Sequence, residues 1–220
     1  YEICLSDWSS DVCSSDLYRG LLEKADKQKK STLLTKILNS LKGSQNESEL
    51  ASIENEILKE NIEPYATQIL IDQAQKLLSE KKFSQAFNLS LKINSRPVSA
   101  DQRAESRLIQ AAVLEREFVL QSVKAREDKF ATVLGMKTEK LDKAFTAFST
   151  TIKMSKSSRI QTEALQGIDR LYSHFIESIS NMPLPATLKP EDQLALREEL
   201  AKLTKPFEKK KVDNLAQLRK

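Results

Sequence analysis

Past residue 17 the chain contains no cysteine and no tryptophan, since Cys4, Cys13 and Trp8 all fall in the first seventeen positions. The remainder has no disulfide framework, no thiolate metal site and no nucleophilic thiol. It has one histidine, His174, flanked four residues away by Arg170 and Ser178 rather than by carboxylates. A lone imidazole without a second ligand or an orienting acid reads as structural. Glycine is scarce, at four residues; there is no Gly-rich phosphate loop and no serine set between glycines. These absences argue against an enzyme, and no catalytic residue, metal, cofactor or small-molecule substrate is expected. Alternating Val/Ile/Thr runs are nearly missing, which argues against a sheet. No apolar run approaches the roughly 20 residues that span a bilayer.

The first seventeen residues stand apart from everything after them. Tyr1-Glu2-Ile3, a short variable stretch over Cys4–Ser6, and Asp7–Leu17 resemble the translation of a common sequencing adapter, fixed codon by fixed codon. We treat residues 1–17 as a non-native, disordered tail and leave them out of fold reasoning. Removing them takes away four acids and no bases from a chain of 35 Lys+Arg and 31 Asp+Glu, so the formal charge rises from +4 to +8. The 203 residues that remain suffice for one globular domain or a short repeat array.

What is present is helical periodicity. Leu141, Ala144, Phe145, Phe148 and Ile152 recur at helical spacing, and Leu108, Ala111, Ala112, Phe118, Val119 and Val123 make a still broader stripe within Ala104–Arg126. A stripe that broad needs cover on more than one side. Upstream, Leu21, Leu22 and Ala25 begin one helix. Leu33, Leu34, Ile37, Leu38 and Leu41 form the next, stopped by Gly43-Ser44, and Asn46 opens a third that carries Leu50, Ile53, Ile57 and Leu58. Ser99 is a predicted N-cap, Gly135 a predicted break, and Gly167 a predicted close-packing point on the stripe Ile160, Ala164, Ile168, Leu171, Phe175, Ile179. A linker over Asn181–Leu188 precedes a last helix from Pro190, which Pro206 is expected to kink or end.

The most repeat-like unit runs from Tyr65 to Asn94. Leu70, Ala74, Leu77 and Leu78 mark its first helix, Ser79-Glu80-Lys81-Lys82 a tight link, and Phe83, Ala86, Leu89, Ser90 and Ile93 its second. It resembles the tetratricopeptide repeat, a helix–turn–helix unit of about 34 residues. The resemblance casts Ala74 and Ala86 as the small residues where the two helices touch and Phe83 as the interhelical aromatic; Lys81 stands where the turn usually has glycine. Leu141, Ala144 and Phe148 repeat the pattern of Phe83, Ala86 and Ser90. The expected fold is all-α, with antiparallel helix pairs stacked as a tetratricopeptide-like α-solenoid fragment. We divide it into N-terminal helices over 18–62, repeats over 63–181, and a proline-containing linker with a C-terminal helix over 182–220. The expected inter-helix packing residues are Ala74, Phe83, Ala86, Phe118, Ala144, Phe145, Phe148 and Phe175.

Two basic clusters, Lys24/Lys27/Lys29/Lys30 and Lys205/Lys209/Lys210/Lys211, raise the alternative of a basic helical domain for nucleic acid or an anionic membrane surface. The aromatics lie on the apolar stripes rather than among these lysines, and acids stand beside each cluster. Ordinary solvated faces account for both.

The segments Leu114–Phe118, Gln121–Arg126 and Lys137–Ala144, with Met182–Pro185, Pro190–Asp192 and Leu203–Lys210, resemble large tetratricopeptide-type proteins of bacterial envelopes, including gliding-motility-associated ones. The resemblance covers about Ala104–Lys220. It implies a non-enzymatic scaffold in the periplasm or at the outer membrane that docks other proteins, a larger protein of which this chain is a fragment, and membrane association through missing regions. It supplies no catalytic residue.

Overall fold

The computed structural model describes residues 22, 26–42, 46–184 and 187–218, and among these it contains α-helices, one 3-10 turn and no strand. The fold is all-α. In order, the helices are α1 (Lys27–Leu41), α2 (Glu47–Glu60), α3 (Tyr65–Ser79), α4 (Phe83–Asn94), α5 (Ala100–Leu120), α6 (Phe130–Met154), α7 (Ser158–Ser180) and α8 (Pro190–Leu218), with the 3-10 turn at Glu127–Lys129. The chain divides into two compact units, one reaching Asp72 and the other starting at Gln73, so α3 begins in the first and ends in the second. Leu21, Ala25, Gly43-Ser44, Lys24 and the first seventeen residues lie outside the described residues.

In the first unit, polar caps start the helices. The Asp26 side chain accepts from the Lys29 N–H at 2.9 Å and that of Asn46 from the Glu49 N–H at 3.2 Å, satisfying donors that a helix start leaves open. The predicted stripes then meet: Leu34, Ile37, Leu38 and Leu41 of α1 pack with Ile53 and Ile57 of α2, joined by Ala66 and Ile69 of α3. Lys30 closes the edge against Glu56 and Glu60, at 2.9 and 3.1 Å.

In the second unit, from α4 onward, each helix runs antiparallel to the next. Ser106 of α5 donates to the Ser90 carbonyl of α4 at 2.8 Å, while Arg116, further along α5, lies over the Phe83 ring at the start of α4. Ser155 after α6 donates to Asp101 of α5, and Lys137 near the α6 start reaches the α5 end. Gln161 of α7 bonds the Ser155 carbonyl at 2.8 Å, and Phe145 of α6 meets Tyr172 of α7. Asn214 of α8 donates to the Leu165 carbonyl, and Phe207 meets Phe175 at 4.7 Å. Alternate helices α5 and α7 run parallel, since Glu105 pairs with Arg159, Glu115 with Arg170, and Phe118 with His174, a nearly constant offset. Within this unit, then, adjacent helices form packed pairs whose first members lie side by side, the arrangement that an α-solenoid repeats.

Phe118, Phe148 and Phe175 sit together at the core of this unit, fully buried, with Ala144, Ala147 and Ala164 letting the helices approach. Each such aromatic contributes about 1.5–3 kcal/mol on burial. Ser99 caps α5 in a reciprocal box, its hydroxyl accepting from the Gln102 N–H while the Gln102 side chain accepts from the Ser99 N–H.

Several expectations about boundaries and packing change. The helix predicted within Ala104–Arg126 ends at Leu120, and Ser122–Arg126 is irregular chain. Gly135 does not break a helix: α6 already starts at Phe130 and runs through it, the missing side chain costing only propensity at an exposed site. Pro206 does not end α8, which continues to Leu218. Its ring lies on an exposed side, so the carbonyl that loses its partner opens to water rather than into the core. Phe83 and Phe145 are half-buried, and each still touches the following helix, Phe83 through Arg116 and Phe145 through Tyr172.

Candidate functional site

The end of α3, together with α5 and α7, lines a cleft of about 390 Å³. Its floor is apolar: Leu78 from α3, Leu108 and Ala112 from α5, and the edge of Phe148 from α6. The sequence dictates this locally. Glu105, Leu108, Ile109 and Ala112 recur at helical spacing, so α5 presents them on one line, while Arg159, Glu163, Gln166 and Arg170 do the same on α7.

The rim is charged and internally matched. Arg159 pairs with both Glu105 and Glu163, and Arg170 grips Glu115 with two parallel bonds of 2.6 and 2.8 Å. The fork fits a carboxylate geometrically, and Glu115 beside it raises the Arg170 pKa further, keeping the guanidinium charged. Glu105 and Glu115 are mostly buried and the two arginine side chains are half exposed. The cleft thus combines an apolar floor with a rim whose charges are answered in place.

A second polar cluster lies where α5 ends. Lys137 is 1% exposed, yet its ammonium has three partners: the Phe118 carbonyl at 2.7 Å, the Gln121 carbonyl at 3.1 Å and His174 Nε2 at 3.2 Å. The Phe118 ring faces the ammonium at 4.2 Å. A cation here meets the last carbonyls of α5, which carry its negative dipole end. Burial pushes the Lys137 pKa down to about 8, with Lys140 adding to the shift. His174 is held below its ordinary 6.5, first by burial and then by the Lys137 charge. Neither residue lines the α3–α5–α7 cleft.

The positions expected from sequence are spread through the helical unit. Ala74, Ala86, Phe118, Ala144, Phe148 and Phe175 are buried, while Phe83 and Phe145 are half-buried. Phe148 alone of these borders the cleft. The helix that carries Ala86 and Phe83 makes its hydrogen bond and ring contact with α5. Of the C-terminal lysines, Lys210 lies over the Phe207 ring at 5.1 Å and borders a notch of about 350 Å³ between α6, α7 and α8, whereas Lys211 is half-buried on another side. Lys209, Lys210 and Lys211 are successive residues of α8, each turned about 100° from the last, so the four ammonium groups do not share one face.

Sequence reasoning missed Lys137 and the cleft arginines. For Lys137 a signal existed: Lys137, Leu141, Ala144 and Phe148 fall in one register, so a lysine stands on an apolar line. For Arg159 the sequence showed only the i, i+4 pair with Glu163, and for Arg170 it showed nothing, because the partners Glu105 and Glu115 lie 54 and 55 residues away. Among the described residues no group of His, Asp and Glu is placed to hold a metal, and no helix is long and apolar enough to cross a membrane.

What the fold and cleft define is an all-α array of packed helix pairs with a groove along one layer. Compared with protein-family models, curated proteins and solved structures, the chain matches none.

Proposed function

We propose that this chain is a non-enzymatic scaffold of the helical-repeat type, and that its α3–α5–α7 cleft docks a segment of another protein. The observation that carries this is the pairing of an apolar floor with a rim in which Arg159 and Arg170 are already answered by Glu105, Glu163 and Glu115. A polyanion entering there would have to displace carboxylates from both guanidiniums. A protein segment of near-neutral charge, with one large apolar side chain set between polar neighbours, fills the floor and leaves the pairs intact.

The link to tetratricopeptide proteins of bacterial envelopes belongs to this proposal as well. It is supported by the Tyr65–Asn94 unit and by the left-handed Lys81 in its turn, at φ 61°, the position where such repeats place glycine. α5 and α6, with 21 and 25 residues, are longer than a 34-residue unit holds, so the later pairs are an enlarged version.

The test introduces a photo-crosslinker at Ala112 in the cleft and, as control, at exposed Ala216 on α8. Ala112 is expected to trap one protein that Ala216 does not. The purified segment then loses at least tenfold in affinity to Leu108→Glu and changes little between roughly 50 and 200 mM salt. Binding that collapses with salt, favours single-stranded nucleic acid or anionic vesicles, and ignores Leu108→Glu overturns the scaffold reading in favour of the basic-domain alternative.

A further inference from the structure

The Lys137–His174 pair takes no part in the cleft, and its geometry makes it sensitive to acid. A buried ammonium has three N–H donors, and this one has three acceptors: the Phe118 and Gln121 carbonyls and His174 Nε2. An ammonium can only donate, so its bond to Nε2 needs the imidazole lone pair on that nitrogen, which is the neutral tautomer protonated at Nδ1. Ser178 Oγ, 3.3 Å from the same nitrogen, stands on the solvent side of α7 as the only other close polar neighbour among the described contacts.

We propose that His174 and Lys137 form an acid-sensitive latch: protonating the imidazole turns an N–H toward the buried ammonium, removes its third acceptor, and releases the end of α5 from α6 and α7. The charges that face the ring come from three helices. Lys137 opposes its protonation from α6, whereas Glu115 from α5 and Glu177 from α7 favour it; Lys140 acts on Lys137. The Phe118 ring stands nearly perpendicular to the imidazole at 5.3 Å and lies under the ammonium at 4.2 Å, and Lys137 is 1% exposed, so the ammonium has little water to turn to when that acceptor is lost. α8 lies against another face of α7, where Phe207 meets Tyr172 and Phe175. The structure joins α5 to α6 here through an irregular stretch, Ser122–Arg126, so the released element is the α5 end together with that connection. The inference rests on this contact alone and stands or falls separately from the docking proposal.

Because His174 is the only histidine in the chain, its ring resonances are unambiguous in an NMR titration of the full protein. The expected result is an imidazole that titrates below 6.5 and moves up toward 6.5 in Lys137→Met, with faster amide exchange over residues 118–126 at pH 5 than at pH 7.5 after correction for intrinsic rates. His174→Gln keeps an acceptor but cannot titrate, and it should exchange equally at both pH values. A wild-type imidazole that titrates at or above 6.5, or equal acid acceleration in wild type and His174→Gln, overturns the latch. Should Lys137→Met fail to fold, the His174→Gln comparison decides alone.

Discussion

Gly167 of α7 lies directly against the ring of Phe148 of α6, so closely that a Cβ on Gly167 would run into three of its ring atoms. Phe148 in turn forms part of the cleft floor, so the absence of one side chain sets how near α6 comes to α7 and where the floor stands. Gly167→Ala gains helix propensity but overpacks a fully buried ring, and overpacking wins. The expected net loss is about 1–3 kcal/mol by chemical denaturation, with partial recovery on adding Phe148→Leu. A stabilised Gly167→Ala would refute this account of the α6–α7 contact.

Gly135 is the opposite case. It sits inside α6, exposed, with open space where a Cβ would go. Gly135→Ala should raise stability by about 0.5–1 kcal/mol, seen as a higher denaturation midpoint with unchanged slope.

Lys81 holds a left-handed backbone at φ 61°, and the Lys82 N–H closes the turn onto the Leu77 carbonyl at 2.8 Å. A non-glycine residue in that region costs about 1–2 kcal/mol, so Lys81→Gly is expected to stabilise by about 1 kcal/mol while Lys81→Val destabilises. Thermal melts of the two variants should bracket the wild type.

Lys137 couples stability to pH on the alkaline side. Its folded value, about 8, lies below the ordinary 10.5, so between these values the unfolded chain binds more protons than the folded one. Stability from this group therefore rises with pH across that window and is flat below it. The stability difference between wild type and Lys137→Met is expected to grow from pH 8 to 10.5. At neutral pH, Lys137→Met takes the side-chain donor from the Gln121 carbonyl, while the Phe118 carbonyl keeps the Gln121 N–H at 3.2 Å, and should cost about 1–3 kcal/mol.

His174 couples stability to pH on the acid side. Its folded value is depressed below 6.5, so as pH falls through 6.5 the unfolded chain takes up a proton that the folded chain resists. Denaturation midpoints should fall from pH 7 toward 5, and His174→Gln should remove that part of the fall. Equal losses in both proteins would assign the acid sensitivity to the carboxylates instead.

The all-α class, the stripes of α1, α2, α6 and α7, the caps at Asn46 and Ser99, and the close approach at Gly167 were all legible in the sequence, because each depends on neighbours within a few residues along the chain. Spacing alone places Leu141, Ala144 and Phe148 on one line, and a glycine on an apolar stripe already signals contact. Helix ends were less legible. Gly135 carries a local penalty of about 0.5–1 kcal/mol and Pro206 one of about 3 kcal/mol, but packing of the flanking turns, which no local window contains, overrode both. The cleft was not legible at all. It exists because α5 and α7 run parallel with Glu105 beside Arg159 and Glu115 beside Arg170, pairings made across some 55 residues of chain. Lys137 lies between the two cases. The sequence put a lysine on an apolar line, and only the folded chain supplied the α5 carbonyls and the imidazole that let a cation stay there. Periodicity fixes which face of a helix is buried. Which helix covers that face, and which polar groups it brings along, is decided by the tertiary structure, since that choice depends on contacts between residues far apart in sequence.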